Sequence, residues 1–233
     1  MEGTYCSLFL NLFTAHLIGD FLLQTDKTCR SKQEKGCKSL HLYIHALIIF
    51  LCTWLAFGRI NFVLIASIVG LTHLVIDFVK SKLHPSLKVF VLDQMLHILI
   101  LLAVTWVSVR FMGWTPYLGW TTFCKYIPLA ISFIVCAKPA NILIKNILQA
   151  YSLGNIKEQT CEAPFKAGGL IGTLERWLIL VFFMLEQYEA IGFLLAAKSI
   201  VRFKDTETDK TEYVLAGTLL SVSIAVACGI LLR

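Results

Sequence analysis

Apolar runs about 20 residues long recur from one end of this chain to the other, separated only by short polar stretches. At 1.5 Å of rise per residue, a helix of about 20 apolar residues crosses the hydrocarbon core of a bilayer. Backbone N–H and C=O groups find no water there, so such segments must bond them internally as helices. Composition agrees: 57% of the residues are hydrophobic and 15% charged, where a soluble domain carries about a quarter charged, and the mean hydropathy is +0.73. The expected fold is all-α, a polytopic transmembrane helical bundle with seven or eight spans, and no soluble domain.

The apolar runs predict helices at 6–24, 39–58, 60–82, 88–112, 126–150, 168–187, 190–203 and 211–232. The run 190–203 reaches only about 21 Å, so it is expected to tilt, to re-enter or to form one arm of a buried hairpin. The polar connection "YSLGNIKEQTCEAPFKA", residues 151–167, divides one integrated domain into two sub-bundles, 1–150 with four to five helices and 151–233 with the C-terminal ones.

Lys27, Arg30, Lys32, Lys35 and Lys38 follow the first helix, and Lys80, Lys82 and Lys88 follow the third. Lys145, Lys157, Lys166, Lys198, Arg202, Lys204 and Lys210 fall on the same side, against Arg59, Arg110, Lys125 and Arg233 opposite. The positive-inside rule then places the basic loops in the cytoplasm and the N-terminus outside. The net charge of +6 reads as topology and as contact with anionic lipid headgroups, not as a nucleic-acid surface. The first positive charge, Lys27, comes after the first apolar run, so a cleaved signal peptide is not expected. The eight cysteines are scattered with no CxxC; Cys29 and Cys37 in one basic loop are the pair open to redox or metal chemistry.

Against this apolar background, four helices each carry two ionisable groups four residues apart: His16 and Asp20, His41 and His45, His73 and Asp77, Asp93 and His97. That spacing sets both side chains on one face, about 40° apart. The first and third helices carry their pairs late and the second and fourth carry them early, so alternating direction brings all four to one depth. Ionisable groups in hydrocarbon cost a few kcal/mol each and face a cavity or one another. A single such pair reads as an interhelical hydrogen bond; four at one level read as a shared site, with Gln24 and Gln94 beside it. His41 is also compatible with the membrane interface, and His84, before Pro85, reads as a loop residue.

Imidazole and carboxylate at this spacing can reach one metal ion. The mixed donor set suits Zn²⁺ first, with Mn²⁺ or Fe²⁺ as alternatives, and not the all-oxygen preference of Ca²⁺. His16, Asp20, His45, His73, Asp77, Asp93 and His97 are the candidate ligands. They exceed the four that one zinc takes, leaving two metals or ligand-orienting carboxylates both open. Asp20 or Asp77 could instead serve as general base. A metal here would support hydrolysis of a lipid-linked or otherwise amphiphilic substrate near the cytoplasmic face. The alternatives are a metal-ion or proton-coupled transporter, which uses the same residue types, and a non-catalytic scaffold. The nearly bare outer segments "ALIIFLCTWLAF" and "ILILLAVTW" favour a site at one face over a pore.

In the second half Pro139 is expected to break or kink its helix and free a carbonyl. Glu175 and Arg176 point about 100° apart, so each is expected to meet a group on a neighbouring helix. Lys138, Arg176 and Lys198 are candidates for an anion-binding wall that holds a phosphate beside the metal; the alternative is interhelical ion pairs and headgroup anchors. Gly168, Gly169 and Gly172, and the small residues of "GTLLSVSIAVACG", read as close-packing positions more than as a phosphate-binding helix start.

Taken together, "HLIGDFLLQTD", "HLVIDFVKSKL", "FVLDQMLHI", "GGLIGTLERWLIL" and "QYEAIGFLLAAKSIVRF" resemble, over most of the chain, the bacterial integral-membrane family catalogued as domain of unknown function 3307. That resemblance implies the inner, cytoplasmic membrane and no defined activity. The His-x-x-x-Asp pairs alone resemble the inner-membrane family described as predicted metal-dependent hydrolases, which implies metal-site roles for His16, Asp20, His45, His73, Asp77, Asp93 and His97.

Overall fold

The computed structural model describes residues 2–25, 31–32, 39–115, 126–151, 164–202 and 208–232. Most of the loop after the first helix, including Lys27, Arg30, Lys35, Lys38, Cys29 and Cys37, and residues 152–163 lie outside the described residues. All regular structure described is helical, in two compact units, 1–131 and 132–233.

The first unit holds α1 (Glu2–Leu17), α2 (Leu40–Phe57), α3 (Val63–Ser81) and α4 (Leu87–Arg110). Each helix packs on the next and α4 returns to α1, closing a four-membered ring. α1 runs straight into one π-helical turn, Ile18–Leu22, with Leu23 N–H donating to Ile18 O at 2.9 Å. Gly58, at φ 66°, terminates α2 in the left-handed conformation that glycine takes without steric cost. Gly70 lets α3 approach α2: a Cβ there would lie 3.0 Å from Phe50 Cβ and 3.3 Å from Ala46 O. Small residues at helix contacts allow this closeness inside a membrane, where apolar burial drives no association.

The polarity of this unit is inverted relative to a soluble protein. Leu47, Leu55, Leu64, Leu71 and Val75 are each more than half exposed, while His16, Asp20, His45, His73, Asp77, Asp93 and His97 are all buried. Lipid solvates such an exterior, and only the bundle interior accepts the charges. An apolar core of Leu8, Leu12, Ile49, Phe57, Phe62 and Trp114 fills the end remote from Lys32 and Lys80, tied by Trp114 Nε1 donating to Phe57 O at 3.1 Å.

The second unit contains α5 (Ile127–Val135, whose first residues belong to the preceding unit), α6 (Lys138–Ala150), α7 (Pro164–Met184), α8 (Tyr188–Arg202) and α9 (Thr208–Leu231). The single helix expected over 126–150 is broken at Cys136 and Ala137, just ahead of Pro139 in the first turn of α6. Proline lacks the N–H and its ring crowds the preceding turn, so α5 cannot continue through it. The carbonyls at the break are met by Arg176, the largest fully buried side chain of the protein. Its Nε donates to Cys136 O at 2.6 Å, its Nη2 to Asn141 Oδ1 at 2.6 Å and Ala137 O at 3.4 Å, and its Nη1 to Ser221 Oγ at 2.9 Å. Gly169 and Gly172 pack here as expected: Asn141 donates to Gly169 O at 3.2 Å, and a Cβ on Gly172 would lie 3.2 Å from the guanidinium. In α9, Gly229 lies against the Phe183 ring. Arg176→Lys keeps the charge but offers one nitrogen where the guanidinium uses three. It is expected to lower stability by about 2 kcal/mol, read as an earlier thermal unfolding midpoint in detergent.

Six helical stretches are long and apolar enough to cross a membrane: Gly3–Leu22, Leu40–Phe57, Ile60–Ser81, Leu87–Arg110, Ile127–Ala150 and Glu212–Leu231. They fit an integral membrane protein. α7 and α8 are not in that set. α7 carries Glu175 and Arg176 at mid-length, and α8, with 15 residues, spans only about 22 Å.

Candidate metal centre

Four helices bring seven side chains to one level of the first unit. α1 reaches it at its end, α2 at its beginning, α3 in its second half and α4 in its first half. The π turn carries Asp20; one extra residue per turn shifts that carboxylate around the helix axis relative to a regular α-turn, and such turns concentrate at functional sites.

At the centre is a triangle of ligand-type atoms. His45 Nε2 and His73 Nε2 are 3.0 Å apart, and Asp20 Oδ1 lies 3.2 Å from each. Metal bonds of about 2.0–2.1 Å at tetrahedral angles place neighbouring ligand atoms about 3.3–3.4 Å apart, so the three atoms already have nearly the separation that one small cation requires. Asp20 Oδ1 nonetheless makes no hydrogen bond, because neither imidazole approach has hydrogen-bond geometry.

A second set adjoins the first. His73 stacks on His97 with ring centroids 4.1 Å apart, and His16 tilts against His97 at 5.1 Å. Asp93 Oδ1 is 3.5 Å from His97 Nε2, and both atoms are buried without a hydrogen bond. Three groupings each place one ligand atom per residue within 4.8 Å of the others: His16, Asp20 and His73; His45, His73 and Asp77; Asp77, Asp93 and His97. The buried His and Asp groups are thus able to hold a metal ion. His41, the eighth group of the sequence pattern, is exposed at the start of α2 and stays apart, and His84 lies in the exposed turn between α3 and α4.

Sequence reasoning read Lys32 and Lys80 only as topology signals, yet both enter the site. Lys32 Nζ donates to Asp77 Oδ2 at 2.5 Å and Lys80 Nζ to Asp93 Oδ2 at 2.6 Å. Gln94 accepts at 3.4 Å from His16 and donates to Asp93 Oδ2 at 3.0 Å. With its amide nitrogen facing the Asp20 carbonyl oxygen at 3.1 Å, Gln24 accepts from Lys32. The only prior signal for the lysines was their position, Lys80 one turn beyond Asp77 and Lys32 eight residues beyond Gln24.

Two further observations bear on access. A void of about 10 Å³ beside His16, His73, His97, Thr53 and Thr72 holds one water at most. The half of the bundle remote from Lys32 and Lys80 is less bare than its sequence reads: Asn11, Thr53, Thr105 and Ser108 are buried there. Thr105 bonds its own helix at Leu101 O, 2.7 Å away, whereas Asn11 Nδ2 and Ser108 Oγ have no hydrogen-bond partner among the described residues.

The three basic residues expected to form an anion wall lie in the second unit. Arg176 holds the broken helix, Lys198 pairs with Glu175 across α8 and α7, and Lys138 opens α6 at the break.

The family model described as protein of unknown function (DUF3307) matches residues 8–122. Those residues carry the DUF3307 pattern. The match contains every one of the seven clustered His and Asp residues and both lysines, so the resemblance read from "HLIGDFLLQTD", "HLVIDFVKSKL" and "FVLDQMLHI" holds over the first unit. The later motifs, from "GGLIGTLERWLIL" onward, lie beyond the matched stretch. No curated protein and no solved structure matches the chain.

Proposed function

We propose that the first unit is a membrane-embedded divalent-metal centre, zinc before manganese or iron, acting as a hydrolase on a lipid-linked or amphiphilic substrate at the cytoplasmic face of the inner membrane. The carrying observation is the Asp20–His45–His73 triangle, whose 3.0 and 3.2 Å edges match those of a metal's ligand shell and whose carboxylate oxygen is otherwise orphaned. In this reading the N-terminus faces outward, α7 and α8 complete seven or eight membrane segments, and the basic loops lie against anionic headgroups.

A divalent cation supplies an acidic water and a Lewis acid at neutral pH. Around it, Asp20, His45 and His73 serve as ligands, and His16, Asp77, Asp93 and His97 orient them or complete a second position. Lys32 and Lys80 fix the Asp77 and Asp93 carboxylates in place. Asp77, with one oxygen on Lys32, is positioned as general base. The inner void excludes any substrate from below, so the scissile group enters from the side where Lys80 is part-exposed.

The orphaned Asn11 and Ser108 support a second reading, metal-ion or proton-coupled transport, because unpaired polar groups in the outer half extend the polar interior past the site. Turnover by metal-loaded protein on a panel of amphiphilic phosphoesters and carboxylic esters separates the two. The hydrolase reading expects metal-dependent release that falls at least about 100-fold in Asp20→Asn. No turnover, together with cation accumulation by proteoliposomes, overturns it in favour of transport. Neither activity in a metal-free, folded protein leaves the cluster a scaffold that fixes helix register.

A further inference from the structure

The second unit contains a cavity of about 260 Å³ that the metal centre does not use. It lies where α6 and α8 end and α7 and α9 begin, the end that carries the basic residues. Three cationic side chains, Lys145, Arg176 and Lys198, and one carboxylate, Glu175, line it. Glu175 pairs with Lys198, and the lining cation whose partners among the described residues are all uncharged is Arg176.

Burying this guanidinium is costly. It is 1% exposed, and its hydrogen-bond acceptors among the described residues are backbone carbonyls, an amide oxygen and hydroxyls, all neutral. A buried cation bonded only to neutral groups retains most of its desolvation penalty, which an anion in the cavity offsets. Gly172 leaves room beside the guanidinium, since a Cβ there would lie 3.2 Å from Nη1, and Tyr213 and Ser221 bring hydroxyls to the α9 side.

The geometry points to a binding site for the phosphate group of an anionic amphiphile, held by Lys145, Lys198 and the Arg176 guanidinium in the cavity wall. The cavity is smaller than the roughly 300–1,000 Å³ of sites for drug-sized ligands, which suits a headgroup phosphate and not a large polar molecule. Ile144, Leu148, Ile171 and Val214 form an apolar wall of the same cavity; free phosphate has no use for it, whereas a lipid backbone covers it. Of the three cations expected to form an anion wall, Arg176 and Lys198 line this cavity; Lys138 does not, and Lys145 takes its place.

The test is calorimetric titration of the full chain in detergent with phosphatidic acid, with diacylglycerol as its phosphate-free control, and with inorganic phosphate. Saturable binding of phosphatidic acid, absent for diacylglycerol and about tenfold weaker in Lys145→Gln and in Lys198→Gln, is the expected result. Equally tight binding of inorganic phosphate with the same loss in both variants keeps the site and makes free phosphate its ligand. No binding of either phosphate, equal binding of diacylglycerol, or affinities unchanged in well-folded variants overturns the proposal. Both variants leave the first unit intact, so the outcome is independent of whether that unit holds metal.

Discussion

Zinc added to the purified protein is expected to raise its thermal unfolding midpoint, and His73→Ala is expected to abolish the rise. A ligand that binds only the folded state at 100 times its dissociation constant stabilises it by about 2.7 kcal/mol. For a chain of this size that is a shift of about 5–10 °C. His73 is the vertex shared by most of the cluster: 3.0 Å from His45 Nε2, 3.2 Å from Asp20 Oδ1, and stacked on His97. Truncating it removes one corner of the ligand triangle and the wall between the two adjoining sets. An equal midpoint shift in wild type and variant would mean that zinc acts elsewhere, for example at the exposed His41 or His84.

The second large effect concerns Lys32. Its ammonium, 8% exposed, meets Asp77, 6% exposed, and removing one partner of a buried pair strands the other charge at a cost of about 3–5 kcal/mol. Lys32→Met is expected to destabilise the metal-free protein by that amount, and metal is expected to restore much of the loss by taking over as the cation beside Asp77. Lys80→Met provides the comparison. The Lys80 side chain is 39% exposed and gave up less hydration on pairing, and Gln94 still donates to Asp93 Oδ2 at 3.0 Å after its removal, so the loss should be smaller than for Lys32→Met. Denaturation midpoints of both variants, with and without zinc, decide it. Equal losses for the two lysines, or a Lys32→Met loss that metal leaves untouched, would contradict the assigned roles.

Much of this arrangement was legible because hydrocarbon leaves few choices. Among the described residues the apolar runs located the helices to within a few residues, except that the run 126–150 is two helices, and the i, i+4 spacing with alternating helix direction brought His16, Asp20, His45, His73, Asp77, Asp93 and His97 to one depth. Two kinds of feature were not legible. The π turn at Ile18–Leu22 leaves no mark in "IGDFL", whose residues fit a regular α-turn equally well. Lys32 and Lys80 were read by their charge as headgroup anchors; a long side chain rooted at the interface can also turn inward and place its ammonium on a buried carboxylate. In the second unit, Pro139 announced the broken helix, but the identity of the group satisfying it, Arg176 from 37 residues along the chain, depends on tertiary packing alone. His41 shows the opposite limit, a residue with the right spacing on a helix end that turns outward.

The central claim, a metal ion held by the His and Asp cluster, is tested most directly by elemental analysis of the detergent-purified protein beside Asp20→Ala. Stoichiometric zinc, manganese or iron in wild type and its loss in the folded variant are the predicted result. A folded wild type that retains no transition metal after loading and desalting would contradict the claim.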